Sequence, residues 1–259
     1  MRIPVIQGVI DRRILVNYHV KPALIARWLP PPFRPKLVRG HAIAGICLIR
    51  LKNIRPSRIP IPGGIRSENA AHRIAVEWDE SGELHSGVFI PRRDTDSRLN
   101  VWIGGRFFPG THHHAKFEVR ETKDSMSVSL VSDDGDVSVA VAGRLSDRLP
   151  NRSVFGSLDE ASDFFASGAV GYSATRNPHR FEGLELRCHE WSVTPLDVDH
   201  AASSFFDDQS VFPAGSAEFD CALVMRGIAH EWRSLDDLDC PDVRATYAST
   251  GSTYSSTAK

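Results

Sequence analysis

Three consecutive histidines close a glycine-rich run, Gly104-Gly105-Arg106-Phe107-Phe108-Pro109-Gly110-Thr111-His112-His113-His114, the densest cluster of reactive side chains in the chain. Imidazole titrates near neutral pH, so in a pocket it can move a proton, donate a hydrogen bond or hold a metal. Strand alternation carried back from Ala115 and Phe117 turns His113 inward and leaves His112 and His114 on the opposite face. His113 is therefore the candidate general acid or base. A polar turn with exposed histidines is the plain alternative, and a metal pair made by His112 and His114 with Glu68 or His72 is the sharper one.

The segment Arg66-Ser67-Glu68-Asn69-Ala70-Ala71-His72 places Glu68, Ala70 and His72 on one face. A carboxylate there can position or polarise a ligand, but four residues of strand span about 13 Å, so direct contact with His72 needs a bend. A buried ion pair between Glu68 and an arginine is the competing expectation. The run Pro91-Arg92-Arg93-Asp94-Thr95-Asp96-Ser97-Arg98 reads first as a solvated loop. Its chemical reading is that Arg93 turns into a pocket mouth and holds a carboxylate through paired hydrogen bonds. His72, Arg106 and Asp94 are expected to contact the same ligand. No phosphate-cradling glycine loop, nucleophile elbow or Cys-x-x-Cys pair is present, so no cofactor is expected.

The elements that must position these groups are mostly strands. Residues 42–51 are apolar at both parities, as in a strand buried on both faces, with Gly45 at a bulge or close approach. Residues 72–78, 86–90, 113–119 and 219–226 also read as strands, and 126–130 and 137–141 form a hairpin about Asp134-Gly135. Helices are expected over 21–29, over 157–166 behind the capping box Ser157-x-x-Glu160, and more weakly over 201–208. Residues 55–64 read as a loop. Short strands with few helices predict a closed or nearly closed antiparallel sheet, or a sandwich of two sheets, around an interior pocket.

The 259 residues carry 31 basic and 32 acidic side chains, a formal charge of -1, which gives no electrostatic case for nucleic acid or an anionic membrane. Four dispersed cysteines fit reduced thiols in a cytoplasm, with Cys47 and Cys221 as small buried hydrophobes. The expected partner is a small molecule, with a homo-oligomer as a further expectation. Residues 1–232 are expected to form one domain and 233–259 an extension, whose Ser/Thr/Ala/Gly-rich end reads as disordered.

Several stretches together resemble a large bacterial family of unknown function within the acetoacetate decarboxylase-like superfamily. They are Leu15-Val16-Asn17-Tyr18-His19, Leu29-Pro30-Pro31, Ala44 to Arg50, Arg66-Ser67-Glu68-Asn69, Pro91 to Thr95, Gly105 to His114, Phe164-Phe165, Gly171-Tyr172-Ser173 and His230-Glu231-Trp232. The resemblance implies an α+β, mainly β fold, a cone-like antiparallel barrel with a few peripheral helices. In the decarboxylase a lysine forms a Schiff base with a keto acid. Aligned on Gly105-Arg106 and Gly110, that lysine falls on His113, and Glu68 resembles a glutamate of the pocket wall. Imidazole cannot form the iminium electron sink, so the resemblance implies the fold and a keto- or organic-acid pocket without Schiff-base decarboxylation. A non-catalytic ligand-binding or sensing module and a metal-assisted hydrolase are the two rival expectations.

Overall fold

A computed structural model describes residues 5–57, 64–103 and 109–240. The elements in chain order are β1 (Ile6–Val20), α1 (Pro22–Trp28), β2 (Arg34–Pro35), β3 (Leu37–Val38), β4 (His41–Pro56), β5 (Ile65–Glu80), β6 (Glu83–Thr95), α2 (Arg98–Ile103), β7 (His112–Glu121), β8 (Ser125–Ser132), β9 (Ser138–Leu145), α3 (Leu158–Ser167), β10 (Val170–Ala174), β11 (Arg180–Cys188), β12 (Thr194–Ser203), β13 (Ala217–Ser234) and β14 (Leu238–Asp239). All these strands belong to one sheet, antiparallel except where β6 lies parallel to β7 and to β10.

The long strands β13, β1, β4, β5 and β6 form a continuous wall whose outer strands fork. Along β6, Val88 to Ile90 pair with β10, and Arg93 to Thr95 pair with β7. Along β13, Ala222 to Val224 pair with β12, and His230 to Ser234 pair with β11. Hydrogen bonding therefore closes into two rings that share the wall. The larger runs through β7, β8, β9 and β12, and the smaller through β10 and β11. Each face of the wall looks into a different ring, which is why β4 is apolar at both parities. Ile46 and Leu48 pack in the large-ring core with Val128, Leu130 and Val141, while Cys47, Ile49 and Leu51 face the other way toward Phe155, Phe165 and Met225. Gly45 is required by the wall itself: a Cβ there would lie 2.2 Å from the Val16 carbonyl oxygen.

The helix expected over 21–29 is α1, with Pro22 in its first turn. In α3 the Ser157 hydroxyl accepts from the Glu160 amide at 3.1 Å, and the Glu160 carboxylate accepts from the Gly156 amide at 2.7 Å, one residue outside the usual reciprocal pair. Two local expectations are corrected. Residues 201–203 continue β12, because Ala201 and Ala202 pair with Val141 and Ala140; Phe205, Phe206 and Phe212 then pack together against Tyr18, His72 and Trp28. Non-local packing overrides a modest helical propensity there. The charged run after Pro91 is strand as far as Thr95 and enters α2 at Arg98; within it Arg92 bonds Asp94 and Asp134, and Arg93 donates to the Ser173 hydroxyl. Residues 58–63, most of the loop expected over 55–64, lie outside the described residues, while Arg55 and Pro56 end β4. Among the described residues no helix is long and apolar enough to cross a membrane.

Candidate functional site

A bulge in β6 decides which arginine meets the interior. Phe89 pairs with Ile74 and Arg92 with His72, so Ile90 and Pro91 together oppose Arg73. Pro91 has no N–H to contribute to the ladder, which suits it to this position. The extra residue reverses the alternation. Val88 and Ile90 face the small ring, and beyond the bulge it is Arg93 that does so, while Arg92 falls on the opposite face.

The small ring holds a cavity of about 140 Å³. Ile49, Leu51, Ile54, Leu184, Leu186 and Trp232 give it apolar walls, and Asn69, Ser67, Asn100 and His112 add neutral polar groups. Three arginines from three strands also line it: Arg13, Arg73 and Arg93. Among the described residues none of the three bonds a carboxylate. Arg93 donates from Nε and Nη2 to the Ser173 hydroxyl at 3.2 and 3.0 Å. Arg73 donates to the Asn17 side-chain oxygen and lies 4.9 Å from the Phe165 ring centroid. Arg13 donates from Nε to Cys47 Sγ at 3.2 Å and lies 6.0 Å from the Trp191 ring centroid. Burial pulls both Arg73 and Arg93 down to about 10, so each stays charged at neutral pH at an energetic cost. Burial, reinforced by the charge of Arg93, pushes His112 down to about 3, so its ring is neutral. The recess is thus mainly apolar and carries three guanidinium groups.

The site residues expected from sequence divide between the two rings. Arg93 lines the cavity, as does His112, which had been assigned to the outer face. His113 shares a face with Ala115 and Phe117 as expected, but that is the large-ring side of the wall. There His113 Nδ1 lies 2.9 Å from Asp134 Oδ2, and His114 Nδ1 lies 2.8 Å from Asp133 Oδ2. His113 is thus held at the hairpin turn, away from the cavity. Glu68 is also on the large-ring face, where it accepts from Arg12 at 2.6 Å and from Arg50; both arginines also bond Glu121. Glu68 thus takes the buried ion-pair position that was its competing expectation, and it does not face the cavity with Arg93.

His72 lies among Phe205 and Phe206 with neither ring nitrogen hydrogen-bonded among the described residues, and burial pushes it down to about 4. Asp94 borders the cavity, but its carboxylate accepts from Arg92 at 3.0 to 3.3 Å. Arg106 lies outside the described residues. His112 and His114 are not brought together on a shared ligand set, and among the described residues no group of three or more His, Cys, Asp or Glu could hold a metal. Arg13, Arg73, Cys47 and Ser173 were not singled out by sequence reasoning. The available signal was β4: a strand buried on both faces means that Arg73, on the neighbouring strand, points into protein rather than water.

Comparison with known proteins agrees with this architecture. A family described as DUF2071, an uncharacterized conserved protein, matches residues 10–227. Acetoacetate decarboxylase from Legionella pneumophila superposes with a TM-score of 0.56 at 10% identity, over 91% of this chain and 88% of that one. An acetoacetate decarboxylase-like enzyme from Sphingomonas wittichii RW1 gives 0.53 at 10% identity, over 91% and 92%. The enduracididine biosynthesis enzyme MppR, complexed with pyruvate, gives 0.50 at 14% identity, over 90% and 88%. At these identities the likeness is one of fold. No curated protein is significantly similar to the chain.

Proposed function

The chain belongs to the DUF2071 family, and on that premise we propose that it binds a small organic acid, a 2-oxo acid being the first candidate, in the small-ring cavity. One observation carries the reading: three arginines line an apolar cavity and none is bonded to a carboxylate among the described residues. Buried charges in proteins are ordinarily paired, so an anion supplied from solution is the missing counter-charge. Arg93, with Ser173 fixing its guanidinium, receives the carboxylate, and His112 offers a neutral ring for a hydrogen bond to a second oxygen. A ring titrating at about 3 is a weak base, which favours binding over proton abstraction at neutral pH. The described lining residues include no lysine, so the reading invokes no Schiff base. The MppR complex with pyruvate makes pyruvate a sensible first probe.

Calorimetric or NMR titration of the purified chain with pyruvate, and with methyl pyruvate as the uncharged control, tests this. For so small a ligand the expected Kd is on the order of millimolar, with no saturable binding of the ester. Equal binding of ester and acid, or none of either, overturns the reading.

A further inference from the structure

Cys47 lies in the wall of the same cavity, and its neighbours distinguish it from Cys188, Cys221 and Cys240, none of which lines it. One row of cross-strand partners runs Leu15, Cys47, Ala71, Arg93, His112. Strands in a sheet stand about 4.8 Å apart, so Cys47 and Arg93 are about 10 Å apart across the row. The methyl group of Ala71 is all that projects between them. From the next rung Arg13 donates to Cys47 Sγ at 3.2 Å, which places a cation directly against the sulfur. Arg73, only 6% exposed, lines the same cavity, and its Nε has no hydrogen-bond partner among the described residues. A buried, unsatisfied N–H on a cationic group is costly unless a ligand completes it.

We propose that Cys47 is a nucleophile toward small carboxylates whose adjacent carbon is electrophilic, 2-oxo acids above all. The proposal rests on the organic-acid reading, because the arginines bring the carboxylate in and Arg93 holds it at the far end of the gap. With a 2-oxo acid the new bond joins Sγ to the carbonyl carbon. The carbonyl π pair moves onto oxygen and the thiol proton ends there, giving a reversible hemithioketal with nothing oxidised or reduced. With iodoacetate the Sγ–C bond forms as the C–I bond breaks, iodide leaves and the thiol proton passes to buffer.

Alkylation of the folded, full chain with iodoacetate and with iodoacetamide, followed by peptide mapping, reads the proposal directly. The same chain in guanidinium chloride provides the reference ratio of the two rates. In the folded chain the arginines concentrate the anionic reagent, so the iodoacetate-to-iodoacetamide rate ratio at Cys47 should exceed the reference by about tenfold or more. Millimolar pyruvate should slow that labelling several-fold. An unlabelled Cys47, or one with the reference ratio and no protection, overturns the proposal. The organic-acid reading fails separately, if neither the wild type nor Cys47→Ser binds pyruvate; binding by both with no selective labelling removes the nucleophile and leaves the pocket.

Discussion

Replacing Arg93 with methionine should make the empty protein more stable and the pocket useless. Burial lowers Arg93 from the ordinary guanidinium value to about 10. A base depressed in the folded state costs stability at every pH below the folded value, and the cost disappears as pH rises from about 10 through the higher unfolded value. The full shift corresponds to about 3 kcal/mol at pH 7. Because the guanidinium keeps some access to cavity solvent, about 1–2 kcal/mol is a fair expectation for Arg93→Met, partly offset by the hydrogen bonds to Ser173. In a chain of this size that raises Tm by about 2–6 °C in calorimetry without ligand. Loss of one charged hydrogen-bonding group, worth about 1.5–3 kcal/mol, should weaken pyruvate binding by about 10- to 100-fold. The ligand-induced rise in Tm should vanish with it. A variant that melts lower and still gains stability from pyruvate would refute the reasoning.

Glu68→Gln should leave Arg12, only 2% exposed, without one of its two carboxylate partners. Removing one member of a buried ion network costs about 3–5 kcal/mol, read by urea unfolding, while the folded fraction keeps its affinity for pyruvate. His72, His112 and His230 all sit low through burial, at about 4, 3 and 4. Their neutral forms contribute stability that is complete above pH 6.5 and is lost as pH falls toward 4. Each adds about 1.4 kcal/mol per pH unit to the acid slope. His72→Leu should flatten that slope by about one third in pH-dependent melting. Gly45→Ala forces a methyl group against the Val16 carbonyl oxygen inside the wall; overpacking of this kind costs about 1–3 kcal/mol or more, visible as a lower urea midpoint or loss of soluble protein.

Much of the strand pattern was legible in the sequence, because alternation in 72–78, 113–119 and the 126–141 hairpin survives unchanged in β5, β7, β8 and β9. The fork of the sheet was not. It depends on β6 and β13 each serving two partners along their length, and no local periodicity records that. The consequence for the site is specific. Parity groups His113 with Ala115 and Phe117 and sets Glu68 opposite Ser67 and Asn69, but a wall with a ring on either side has two interiors, and the cavity lies in the one that His113 and Glu68 do not face. The run 91–98 reads first as a solvated loop, and Arg93 enters as a candidate only through its capacity to hold a carboxylate; the bulge at Ile90-Pro91 that turns it toward the cavity leaves no mark in the charge pattern. Arg73 was passed over because an arginine alternating with Ile74 and Val76 looks like the solvated face of an ordinary strand. His112 was placed on that outer face for the same reason, and that outer face is the cavity.

The most direct test is a crystal structure of the chain soaked with pyruvate. The account predicts the carboxylate against the Arg93 guanidinium beside Ser173, enclosed between the strands that bear Cys47, Ala71 and His112. Pyruvate seated at His113 and Asp134, or a cavity left to water at a concentration that saturates binding in solution, would contradict it.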